Sequence, residues 1–140
     1  MRKLVMFGFV LLILTSFASP PNRHMQNPTP FVYFIDLQQG ARMKSPVYIR
    51  FGLSGMGVAP AGINVLNTGH HHLLVDLKAL PDLTQVLPTT ENIIHFANGE
   101  TETRIHLPSG KHSLQLLLAD HADKPHNPPL LSNKIIIEVE

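Results

Sequence analysis

The sequence predicts an all-β domain, an immunoglobulin-like antiparallel β-sandwich, and three observations carry that reading. Short segments rich in β-branched and aromatic residues recur along the chain, turn residues punctuate them, and no segment shows the 3.6-residue apolar period of a helix. A length of 140 residues with 44% hydrophobic and 15% charged content is one domain's worth of material and too apolar for a disordered chain. We expect that domain to span residues 31–140.

The chain opens on an expected secretory leader. Arg2 and Lys3 precede an apolar run from Leu4 to Leu14, followed by the small residues Thr15, Ser16, Ala18 and Ser19. Cleavage after Ala18 would avoid placing Pro20 directly beyond the cut, giving a signal peptide over 1–18. The run is shorter than the roughly 20 apolar residues a membrane-spanning helix needs, and no later stretch is long or apolar enough to span. Such processing predicts a periplasmic or secreted product. It also removes two cations, taking the formal charge from +1 to −1. Ser19 to Pro30 holds four prolines without apolar periodicity and reads as a linker.

The strands then follow in order. Phe31 to Asp36 is β-branched and aromatic, and Gln39-Gly40-Ala41 turns the chain toward Pro46 to Gly52, where Val47, Ile49 and Phe51 alternate with Tyr48 and Arg50. Ser54 to Gly62 carries three glycines and one proline and reads as a loop. Asn67-Thr68-Gly69 turns into a strand over His70 to Leu77. Pro81 to Asn92 is expected to be loop, with Leu83, Val86 and Leu87 tucked beneath it, and Ile93 to Phe96 a short bridge strand. Thr101 to Leu107 and Lys111 to Asp120 read as a hairpin about Pro108-Ser109-Gly110. The leucine run at 116–118 is too short for a helix and fits a buried central strand. His121 to Ser132 holds three prolines and reads as a loop, and Lys134 to Glu140 closes with Ile135, Ile137 and Val139 on one face.

Charge and composition exclude several functions. Eleven Lys and Arg balance ten Asp and Glu, so no broad positive field is present to hold nucleic acid. Zero Cys removes disulfides, thiolate nucleophiles, iron–sulfur clusters and thiolate-bound zinc. No serine sits in a nucleophile elbow, and Gly55-Met56-Gly57 lacks the phosphate-binding pattern.

Nine histidines are the anomaly. Alternation along a strand places His70 and His72 on one face, about 7 Å apart at the backbone, with Leu74 and Asp76, and His71 on the other with Leu73 and Val75. A His-x-His pair at that spacing can chelate one ion. His112 shares the inward face of Leu114, Leu116 and Leu118 at a strand mouth, His121 follows that strand's end, and the next loop offers Asp120, Asp123 and His126. Neutral imidazole binds zinc and copper well if three or four rings converge. The candidate ligands are therefore His70, His72, His95, His112, His121 and His126, with His71, Asp76, Asp120 and Met56 in supporting positions. The ordinary alternatives are imidazoles that cap loops and donate to carbonyls, as expected for a solvated His106, or a proton-responsive surface.

Phe51 to Gly62, Asn67 to Asp76, His95-Phe96 with Thr101-Glu102, and Leu107 to Leu116 resemble DUF4399, a domain family of unknown function. Pro125-His126-Asn127-Pro128-Pro129 and the closing strand to Val139 match its pattern too. The resemblance implies a small secreted bacterial β domain. It retains His70, His71, His72, His95, His112, His121 and His126, and departs from the family where Asp123 replaces a frequent histidine and Ala97-Asn98 a Gly-rich turn. The expected function is an extracytoplasmic module binding copper or zinc through a histidine cluster. The alternatives are an interaction domain for a glycan, peptide or envelope protein, and a metal-dependent oxidoreductase.

Overall fold

A computed structural model describes residues 28–140; the expected signal peptide and most of the linker lie outside the described residues. Among the described residues ten strands form: β1 (Phe31–Ile35), β2 (Arg42–Met43), β3 (Val47–Ser54), β4 (Gly57–Val58), β5 (Thr68–Val75), β6 (Ile93–His95), β7 (Glu102–Ile105), β8 (Gly110–Ala119), β9 (Pro125–Leu131) and β10 (Ile135–Val139). No helix occurs among the described residues. A three-stranded sheet runs β1-β3-β7, and a larger one runs β2-β10-β8-β5-β4, with β6 also on β5 and β9 also on β8. All pairings are antiparallel except the two-residue contacts β2–β10 and β4–β5. The architecture is an all-β sandwich.

The alternation read from the sequence decides which faces meet. Val47, Ile49 and Phe51 of β3 point across to Leu73 and Val75 of β5, Leu114, Leu116 and Leu118 of β8, and Ile137 and Val139 of β10. This is the inter-sheet core. A second apolar cluster lies on the outer face of the large sheet, where Leu74, Ile93, Leu117 and Ala119 are covered by Leu83 and Leu87 of the 76–92 loop. β5 and β8 are thus buried on both faces, which accounts for the uninterrupted Leu116-Leu117-Leu118-Ala119 run.

Several expectations change: Val86, expected beneath its loop, is exposed, Gly57–Val58 within the expected 54–62 loop form β4, and two segments pair differently. The segments around Pro108 to Gly110 do not form a hairpin: β7 pairs β3 in the small sheet while β8 enters the large one. β8 is flanked by β5 over 114–119 on one side and by β10 then β9 on the other, while β7 extends the edge of β3 that β1 leaves free. The proline-rich 125–131 segment is a strand rather than a loop. It lies outside β8 and pairs only with it, where prolines without an N–H cost nothing on the open side, and a register shift between Leu118 and Ala119 absorbs the irregularity.

Candidate metal centre

The triplet His70-His71-His72 occupies β5, one of the central strands of the large sheet, and alternation splits it. His71 faces the inter-sheet core against Phe51, with ring centroids 5.2 Å apart. His70 and His72 face outward, at one end of the cluster beneath the 76–92 loop. Gly69, just before them, lets β5 ride close to its neighbours: a Cβ there would lie 2.5 Å from the Ala119 carbonyl oxygen and 2.9 Å from His126 Nε2.

β6 brings the third imidazole. It pairs with β5 so that His95 stands opposite His72, and the two rings stack with centroids 4.6 Å apart. A carboxylate arrives from the turn between β8 and β9. Asp120 shapes that turn, its Oδ1 accepting the Ala122 and Lys124 amides at 2.8 and 3.1 Å while its carbonyl accepts the Asp123 amide at 3.1 Å. Asp123 takes a left-handed backbone at φ 60, which aspartate tolerates, and its carbonyl accepts the Leu87 amide at 2.8 Å. The turn is thereby tied to the outer cluster.

One donor atom from each of His70, His72, His95 and Asp123 lies within 4.8 Å of the other three. Three of these donors form a tight triangle. Asp123 Oδ1 is 2.9 Å from both His70 Nε2 and His95 Nε2, which are 3.0 Å from each other. Four ligands about 2.0 Å from a central zinc would sit about 3.3 Å apart at tetrahedral angles, and about 2.8 Å apart at right angles. The three edges of the triangle fall between those limits, and the fourth donor, on His72, lies within 4.8 Å of each.

The electrostatics favour neutral rings. Burial, followed by the neighbouring imidazoles His70 and His95, pushes the His72 pKa down to about 3. Burial also lowers His70, opposed by its hydrogen bond to Asp123. Neutral imidazole is the form that binds a metal. The cluster is incompletely satisfied: His70 Nδ1 and His72 Nδ1 are buried without a hydrogen-bond partner. Buried polar atoms are ordinarily paired, so the cluster carries an unsatisfied polar cost, on His70 at the ring nitrogen outside the triangle.

The other candidates stand elsewhere. His112 lies at the opposite end of β8's contact with β5, with Nδ1 2.7 Å from Asp76 Oδ2 and Nε2 2.8 Å from the Pro108 carbonyl. Asp76 therefore supports His112 and not the cluster. His121 is exposed, and its carbonyl accepts the Gly62 amide. His126 is half-buried against Gly69, its pKa lowered by burial and its Nε2 unpaired. His71 has both nitrogens unpaired, and burial lowers its pKa to about 4, only partly offset by backbone groups of Glu100 and Gly52. Met56 packs against the inter-sheet core. Sequence reasoning named Asp123 as a loop carboxylate but left it out of the ligand set. The signal was its place in the loop that also carries Asp120, His121 and His126.

The sequence model of the family described as Domain of unknown function (DUF4399) matches residues 49–140. The chain belongs to the DUF4399 family. No curated protein and no solved structure matches it. The matched stretch of this DUF4399 protein begins within β3 and contains all four clustered donors.

Proposed function

We propose that this DUF4399 protein is an extracytoplasmic binding module for a divalent transition metal, zinc or copper(II), held by His70, His72, His95 and Asp123. The observation that carries the reading is the convergence of three imidazoles and one carboxylate within 4.8 Å, two of the rings fully buried with unpaired nitrogens. Nitrogen and oxygen donors suit these borderline ions, and the lack of a thiolate or thioether in the set disfavours copper(I). A cation would replace the crowded contact between two Nε2 atoms with bonds to both. The extracytoplasmic placement is supported by the charged, then apolar, then small-residue pattern of residues 1–18.

The test is calorimetric titration of untagged protein, stripped of metal, with zinc and with copper(II). We expect one equivalent to bind with a dissociation constant below about 1 µM. The paired substitution His70→Ala with His72→Ala is expected to abolish binding. Unchanged affinity in that variant, confirmed folded by circular dichroism, would remove the assignment.

A second reading, an interaction domain for an envelope protein, is favoured by one observation. The loop after β4 exposes Ile63, Val65 and Leu66, the last at 87%, and such apolar patches mark contact surfaces. Partner binding that survives the paired histidine substitution would support it.

A further inference from the structure

The four donors differ sharply in access. The His70 and His72 side chains are 0% and 1% exposed within a central strand, whereas those of His95 and Asp123 are 18% and 32% exposed. The three imidazoles are carried by paired strands, β5 and β6, whose backbones are fixed by the sheet. Asp123 alone comes from a turn. Its backbone is nevertheless anchored, through the Leu87 amide and the Asp120 cap, so the carboxylate can leave the cluster by rotating its own side chain without opening the turn.

Resting on the metal reading above, we infer that Asp123 is the exchange ligand, and that the protein passes its ion to an acceptor by displacement at this position. The acceptor is a chelating group with nitrogen or oxygen donors, approaching from the side where Asp123 and His95 meet solvent. A lone pair of the acceptor forms a bond to the ion while the Asp123 Oδ1 bond breaks with its own pair, and the carboxylate swings outward still negatively charged. The three imidazole bonds then break in turn as further acceptor donors replace them. No electron is gained or lost, and a proton carried by an acceptor amine is released to solvent as its lone pair takes the ion. A site buried evenly on all four ligands would instead release its ion only by opening, at a rate the acceptor does not control. The arrangement is that of a carrier, with a rigid imidazole floor and one mobile anionic ligand.

The experiment is stopped-flow transfer of zinc from the loaded full chain to nitrilotriacetate over a range of chelator concentrations. The transfer rate is expected to rise linearly with chelator. Asp123→Asn keeps the left-handed backbone and substitutes a weak neutral donor, and should raise the slope by about tenfold. Asp123→His adds a strong nitrogen donor and should lower it by about tenfold. Opposite changes at one position cannot arise from misfolding. A transfer rate independent of chelator, or a slope the two variants leave unchanged, would overturn the inference while leaving metal binding intact. Failure of the wild type to take up either zinc or copper(II) would instead remove the metal reading itself, and this one with it.

Discussion

His112 and His70 each lie against an aspartate, at 2.7 and 2.9 Å, but the two pairs are built to opposite ends. Both nitrogens of His112 face acceptors, the Asp76 carboxylate and the Pro108 carbonyl, so the imidazolium is fully bonded. Burial works against that charge, but the Asp76 hydrogen bond, the Pro108 carbonyl and the charge on Asp76 together raise its pKa. Around His70 the acceptors are fewer than the donors require: one Oδ1 serves two rings, a second ring crowds the same nitrogen, and Nδ1 faces nothing. The first pair closes a strand end in the chain's own terms. The second is left unsatisfied by the chain's own groups.

The largest difference should appear on adding metal. Zinc at about 100 times its dissociation constant stabilises a site present only in the folded state by about 2.7 kcal/mol. For a domain of this size we expect a rise in unfolding midpoint of roughly 10 °C, measured by thermal denaturation. His72→Leu should abolish that rise. The same variant, measured without metal, should be at least as stable as wild type, because it removes a buried unpaired nitrogen and joins Leu74 and Ile93 on the outer apolar face. Retention of the zinc response in His72→Leu would erase the distinction between the two pairs.

Acid should separate them next. A histidine whose folded pKa lies below its unfolded value of about 6.5 contributes stability above that value, and loses it as pH falls toward the folded pKa. His72 and His71, lowered to about 3 and about 4, therefore make the metal-free fold progressively weaker below pH 6.5. Each such group adds a slope of up to about 1.4 kcal/mol per pH unit in that window. Urea unfolding between pH 6.5 and 5 should show the loss, and His72→Leu should make it shallower while His71 keeps part of it. A stability that is flat with pH in metal-free wild type would mean these rings are not held neutral.

How far the sequence revealed all this follows from what alternation can and cannot specify. The parity of β5 separated His71 from His70 and His72, and the parity of β8 put His112 at the mouth of the inter-sheet core, because side-chain direction in a strand has period two. Parity says nothing about which strand lies alongside. The pairing of His95 with His72 depends on β6 returning across a 17-residue connection, and Asp123 enters only because β9 folds back along β8 after a capped turn. The three prolines that make 121–132 read as a loop are tolerated because β9 has an open side, a property of its place in the sheet and not of its residues. The hairpin at Pro108 failed for the same reason: turn chemistry fixes where the chain bends, and the free edges of each sheet fix where it goes next.

The smallest expected effect belongs to the pair that is already complete. His112→Gln keeps a polar side chain but loses the charge and one of the two well-placed bonds, at a cost of about 1.5 kcal/mol near pH 6. Because the folded pKa of His112 is raised, its contribution is fully present below the unfolded value of about 6.5 and fades as pH climbs through the folded value. The stability gap between wild type and His112→Gln, from urea unfolding at pH 6, 7, 8 and 9, should therefore narrow steadily on the alkaline side. Metal affinity should stay within about twofold, since Asp76 and His112 contribute no donor to the cluster. A gap that widens with pH would mean the ring is neutral and its aspartate an ordinary acceptor. A large loss of zinc affinity would mean that the two ends of the β5–β8 contact are coupled, and that the histidine whose nitrogens are both bonded is helping to hold the ones that are not.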